Sequence, residues 1–142
     1  MGVAELLLEW ADRVERPEFV AQDPLLLPRR FAEDPPSAEI AGFMAATVAW
    51  GSRASIISSA ERALAGMGDR PAVWLAEADE DDLDALPWRH RTLLAEDSGV
   101  LLRGLQRAVR RHGSLAPLFS LYPGEPNFFG AIDRARTELL GD

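Results

Sequence analysis

The sequence predicts an all-α fold, and three observations carry that reading. No stretch shows the apolar–polar alternation of a half-buried strand. Apolar residues recur instead at helical spacing, most clearly over residues 53–67 and 95–112. Helix punctuation stands at the ends of these segments: Gly51 and Ser52 before the first, Gly66 and Gly68 at the end of it, Gly113 after the second. At 142 residues, 47% hydrophobic and 27% charged, the chain has the size and composition of one globular domain. Residues 1–142 therefore read as a single compact bundle of about six to eight helices.

The elements follow from caps and periodicity. Residues 3–14 form an amphipathic helix with Val3, Leu6, Leu7, Trp10, Ala11 and Val14 on one face. Arg16-Pro17 ends it, because the residue before proline avoids the helical region. Five prolines between 17 and 36 exclude long regular structure there. Leu25, Leu26, Leu27 and Phe31 make that segment ordered and packed, with one tight turn capped by Asp23. Ser37 to Trp50 is apolar on every side, with Glu39 its only charge, so it belongs in the middle of the protein. At that length it is too short for a bilayer, which needs ~20 residues.

A one- or two-residue elbow at Gly51-Ser52 leads into a helix whose stripe is Ile56, Ile57, Ala60, Leu64 and Met67. Asp69-Arg70-Pro71 reads as cap and first turn of a short helix through Leu75. The acidic run 77–84 forms another, anchored by Leu83 and Leu86, its carboxylates suited to a helix N-terminus. Trp88-Arg89-His90-Arg91-Thr92 follows as a loop. The helix over 95–112 turns Val100 or Leu101, Leu105, Ala108 and Val109 inward and its arginines outward. Ser114 caps a short helix through Leu118 and Phe119, and Asn127 caps a last helix carrying Phe128, Phe129, Ile132, Ala135 and Leu139. The expected core is Ile40, Phe43, Met44, Val48 and Trp50, covered by these stripes.

Composition excludes several chemistries. Without cysteine there is neither a disulfide framework nor a thiolate zinc site, and His90 and His112 are too few for a histidine-rich metal site. No cofactor motif, P-loop, nucleophile elbow or HExxH is present, so no catalytic, cofactor or metal residue is assigned. The start of the chain lacks the pattern of a signal peptide, and a cytoplasmic protein without membrane contact is expected. The net charge of −8 argues against nucleic acid, but it is local. Six acidic residues lie between Glu77 and Asp84, and the rest of the chain is near charge balance.

Two places qualify as anion or nucleic-acid contacts. The elbow Gly51, Ser52 and Arg53 presents the first N–H groups of a helix beside a guanidinium, the makings of a phosphate or carboxylate site. The alternative is an ordinary ion pair of Arg53 with Glu39 or the acidic run. Arg89, His90 and Arg91 beside Trp88 combine cations with an aromatic that can stack a base. The alternative there is a core Trp88 with arginines that balance the acidic run. Arg103, Arg107 and Arg110 fall at i, i+4 and i+7, a stripe that either tracks a phosphate backbone or is a solvated face.

RPEFVAQDPLLLPRRF, EIAGFMAATVAWGSR, WRHRT and HGSLAPLF together resemble a bacterial family of conserved hypothetical proteins, a domain of unknown function. Its members continue well past the point where this chain stops, which implies an N-terminal portion or a short version. An apolar helix, a polar elbow and a helix with a polar face also resemble the opening half of helix-hairpin-helix DNA glycosylases of the endonuclease III type. That resemblance implies an elbow at Gly51, Ser52 and Arg53 that approaches damaged duplex, here without the usual glutamine. The gripping hairpin and the catalytic residue of those enzymes belong to a later half, so base excision by this chain alone is not expected.

DNA is accordingly the leading partner. A non-catalytic module that binds protein, self-associating through Phe128, Phe129 and Ile132, is the alternative. A small-anion or nucleotide site at the elbow is a third.

Overall fold

Helix α4 (Pro35–Thr47) is the centre of the protein, with Ile40, Ala41 and Met44 fully buried. Its apolar residues have no preferred side, so neighbours pack on several faces, as expected of a helix apolar all round. The computed structural model describes residues 2–86 and 88–141. Before α4 come α1 (Val3–Val14), α2 (Pro17–Val20) and α3 (Leu26–Arg29). After it come α5 (Arg53–Met67), α6 (Pro71–Glu77), α7 (Glu80–Ala85), α8 (Ala95–His112), a 3-10 turn (Ala116–Phe119) and α9 (Phe129–Leu140). Among the described residues there is no strand, only an isolated bridge between His90 and Leu93, and the protein is all-α.

Helix α4 packs on α3, α5 and α6; α8 packs on α6, α7 and α9. Two polar side chains of α4 hold distant helix ends. Ser37, fully buried, accepts the Ala72 N–H at 3.1 Å and donates to the Asp34 carboxylate at 2.9 Å. The first turn of α6 is thus capped from α4 and not by Asp69, as its own sequence suggests. Glu39 Oε2 accepts the N–H groups of Leu115 and Ala116 at 2.7 and 3.1 Å, taking the place expected for Ser114. Both caps satisfy amides that a helix start leaves without partners. Local caps hold elsewhere: Ser52 Oγ accepts from Ser55 N–H and Asp79 from Asp82 N–H. The N-cap of α9, by contrast, is Phe128, and Asn127, one residue earlier, accepts the Phe129 N–H. Asp23 accepts the Leu25 N–H, as expected of the turn before α3.

The central helix ends three residues sooner than its apolar run. Thr47 turns its hydroxyl back to the Phe43 carbonyl at 2.8 Å, and the Trp50 N–H closes on the Val48 carbonyl at 2.7 Å. Such back-bonding competes with the helix ladder. The elbow therefore spans 48–52 instead of one or two residues. Trp50 falls on it and is 38% exposed, so it is not core, and Phe43 is only half-buried. Trp88 is the largest fully buried side chain instead. Its indole N–H has no acceptor among the described residues. That costs about 1–3 kcal/mol, which the burial of an indole, about 4–6 kcal/mol by area, exceeds.

On α8 the inward residues are Leu102, Leu105, Ala108 and Val109; Val100 is exposed and Leu101 half-buried, one position away from the expected phase. Gln106 is buried with them and donates to the Leu75 and Ala78 carbonyls at 2.9 and 2.8 Å, closing the end of α6. Gly104 lets α9 approach: a Cβ there would stand 1.9 Å from the Leu139 carbonyl oxygen. Helix α1 forms as expected but has no buried residue. Val3, Leu7 and Trp10 are open to solvent, as are Phe128, Phe129 and Ile132 around the start of α9.

Candidate functional site

The two candidate segments, about forty residues apart in sequence, share one surface. The elbow carries Trp50, Gly51 and Ser52 into Arg53 at the start of α5. Beside it runs a tight turn in which His90 and Leu93 exchange backbone hydrogen bonds of 3.1 and 2.8 Å, leaving Arg91 and Thr92 at the tip. Arg91 has φ +50, a left-handed conformation that is costly for a residue with a Cβ. Structure on both sides enforces it.

Three contacts pin the turn. His90 Nε2 lies 2.8 Å from the Trp50 carbonyl oxygen; a carbonyl only accepts, so this nitrogen carries the proton. The His90 ring meets the Trp50 ring edge-on, with centres 5.2 Å apart. Ser59 Oγ, buried on α5, donates to the Arg89 carbonyl at 2.6 Å. The Arg91 guanidinium then lies over Gly51. A Cβ on Gly51 would stand 2.6 Å from Arg91 Nε and 2.8 Å from its Cζ, a contact that the flexible arginine can relieve by moving aside. Gly51 has φ +113, however, so the backbone asks for glycine.

The six residues divide by role. Arg89 and Arg91 are exposed, and among the described residues neither has a carboxylate partner. Arg53 is exposed, 3.8 Å from the Asp23 carboxylate and stacked 4.5 Å from the centre of the Phe19 ring. Its partner is thus Asp23. Glu39 is occupied at Leu115, and Glu80 and Asp84 of the acidic run hold Arg103. Ser52 caps α5, with its hydroxyl accepting from Ser55. His90 is buried, so it positions the turn and offers no exposed contact. Trp88 is fully buried and cannot stack a ligand; Trp50, which sequence reasoning assigned to the core, is the exposed aromatic of this surface.

A family model described as "Protein of unknown function (DUF2400)" matches residues 23–141. The chain belongs to the DUF2400 family. No curated protein and no solved structure matches the chain. The DUF2400 segment holds the whole elbow and turn, together with α3 to α9. It starts after α1, the helix with no buried residue.

A second basic region lies within the DUF2400 segment, between α8, the 3-10 turn and α9. A cavity of about 780 Å³ is lined by Arg107, Arg111, His112, Tyr122, Arg134 and Glu138, among others. Arg134 pairs with Glu125 and stacks 3.8 Å from the centre of the Tyr122 ring. The hydrogen bond from Arg134, then one from the Tyr122 N–H, holds the Glu125 carboxyl below its usual pKa. Arg111 and His112 face Glu138 at 3.3 and 3.7 Å. Nine residues separate Glu125 from Arg134 across a turn, so no helical spacing announces this clamp.

The arginine stripe of α8 is also occupied. Arg103 reaches Asp84 and Glu80, while Arg107 and Arg110 donate to carbonyls at the ends of α9 and α6. It braces helices and is not a free phosphate track. No group of three or more His, Asp or Glu residues suited to a metal occurs among the described residues. No helix among them is long and apolar enough to cross a membrane.

Proposed function

We propose that the elbow–turn surface binds the phosphate backbone of nucleic acid, as the DNA-contacting part of a glycosylase-like protein. The observation that carries this reading is the junction of the two segments, which sets Arg89 and Arg91, neither with a carboxylate partner among the described residues, along α5 and the elbow before it. Phosphate recognition needs charge together with directed donors. The guanidinium groups supply forked N–H pairs, and the first turn of α5 adds backbone N–H groups and the positive end of a helix dipole. The −8 net charge does not oppose such contact, because its acidic excess is concentrated at residues 77–84, on and just before α7, and is partly consumed by Arg103.

The test is fluorescence anisotropy with an abasic-site duplex and a matched intact duplex at two salt concentrations. Binding is expected to weaken as salt rises, with preference for the abasic duplex. The double substitution Arg89→Glu, Arg91→Glu is expected to cut affinity at least about tenfold and to shallow the salt slope by about one per lost phosphate contact. Salt-insensitive binding, or binding indifferent to these changes, refutes the reading.

A second reading, a helical module that binds protein or its own copy, is favoured by the exposed apolar residues of α1 and of α9. Phe128, Phe129 and Ile132 are 58, 77 and 54% exposed. A concentration-dependent sedimentation coefficient, lost on changing Phe129 to Ser, is its expected signature; a strictly monomeric profile at high concentration removes it.

A further inference from the structure

Trp50 is 38% exposed although it follows the most apolar helix of the chain. The position is held from two sides. Its carbonyl is bonded to His90 Nε2 and its ring is met by the His90 ring, 78° between planes. An indole fixed in this way loses little rotamer freedom when a ligand arrives. Gly51 follows it directly, with the Arg91 guanidinium laid over that glycine, and Arg53 begins the next helix. A partly exposed aromatic ring and the Arg91 guanidinium therefore meet at one elbow.

The two kinds of group select differently. Guanidinium groups bind phosphates of single strands and duplexes alike. An aromatic face binds a base only where the base is unpaired and its own face is open, since duplex stacking closes it. Trp88 cannot take this part because it is fully buried.

We propose that Trp50 stacks an unpaired base while Arg91 holds the adjoining phosphate, so that the surface prefers single-stranded nucleic acid to duplex. This inference rests on the nucleic-acid reading of the same surface, and its test separates the two. The whole chain is titrated against a labelled oligothymidylate of about 16 nucleotides and against a duplex of equal length, at low and raised salt. Tighter binding to the single strand is expected. Trp50→Ala should weaken that binding about five- to a hundredfold, the worth of one stacked base, and leave the duplex affinity unchanged.

Trp50→Phe keeps an aromatic face and should retain most of the preference. The His90 bond to the Trp50 backbone survives in both variants, but only Trp50→Phe also keeps a ring against His90. The thermal midpoint of each variant is therefore measured as the folding control, and Trp50→Phe is the variant that separates stacking from loss of the turn. Equal affinity for the two forms, or equal loss of both in Trp50→Ala, overturns the stacking role and leaves the phosphate surface standing. Absence of salt-sensitive binding to either form overturns both.

Discussion

Along the α8–α9 side, Arg103, Arg107, Arg110, Arg111 and Arg134 each meet a carboxylate or a helix-end carbonyl, whereas among the described residues Arg89 and Arg91 at the elbow meet neither. Every basic residue apart from the two histidines is an arginine, so residue type does not separate the two regions. What separates them is prior commitment. A guanidinium already forked onto a carboxylate must surrender that bond before it takes a phosphate, and the two bonds are of similar strength. The count of arginines therefore says little about where an anion binds; their partners say more.

Three perturbations sharpen or break this contrast. The largest effect is expected from Gly104→Leu, because a side chain there collides with the Leu139 backbone and cannot be relieved by a rotamer change. Separation of α9 from α8 should cost about 3 kcal/mol, read as a lower denaturation midpoint. It should also release Arg107 from the Glu138 and Leu139 carbonyls. Gained anion binding in that variant would show that pairing alone keeps the side closed.

Gly51→Ala comes next. The φ of +113 opposes any side chain there, a cost of about 1–3 kcal/mol, and a methyl group displaces the guanidinium that lies over Gly51. Arg91 must move, so nucleic-acid affinity and stability should fall together. A fall in stability with affinity intact would break the link between the turn and the site.

The smallest effect is on acid stability. The Glu125 carboxyl is held below its ordinary value of 4.5, first by the Arg134 hydrogen bond. That of Asp34 is held below 3.8, first by the Ser37 hydroxyl and then by Arg70. A carboxyl whose folded pKa is depressed contributes in full above its unfolded value and loses the contribution as pH falls through the folded one. Thermal midpoints should accordingly decline below about pH 4.5, and Glu125→Gln should flatten the upper part of that decline. An unchanged profile in that variant would remove the clamp as a contributor.

Helix boundaries were legible wherever their determinants are local. Gly113 and the apolar phase place α8 over 95–112, and Ser52 places the start of α5. The misread caps and contacts share one cause, a partner far along the chain, whereas the early end of α4 is a local effect of the Thr47 hydroxyl. Ser37 caps α6 from 35 residues away, and His90 reaches Trp50 across 40. Nothing in the neighbourhood of either residue encodes such a meeting. The exchange of Trp50 for Trp88 has a related origin. A helix apolar on all sides has no phase from which to tell which end turns outward, and a tryptophan in a loop has no periodicity at all. Of the candidate site, the two segments could be read from their chemistry; their union could not.

The bond from Glu39 to the Leu115 and Ala116 amides spans 76 and 77 positions of chain. So long a closure is rewarded only after the helices between have settled, which places it late on the folding path. An interaction formed after the transition state governs escape from the native state more than arrival at it. Glu39 on this view is a latch on lifetime. Its loss as Glu39→Ala should speed unfolding while the refolding limb of the chevron stays where it was.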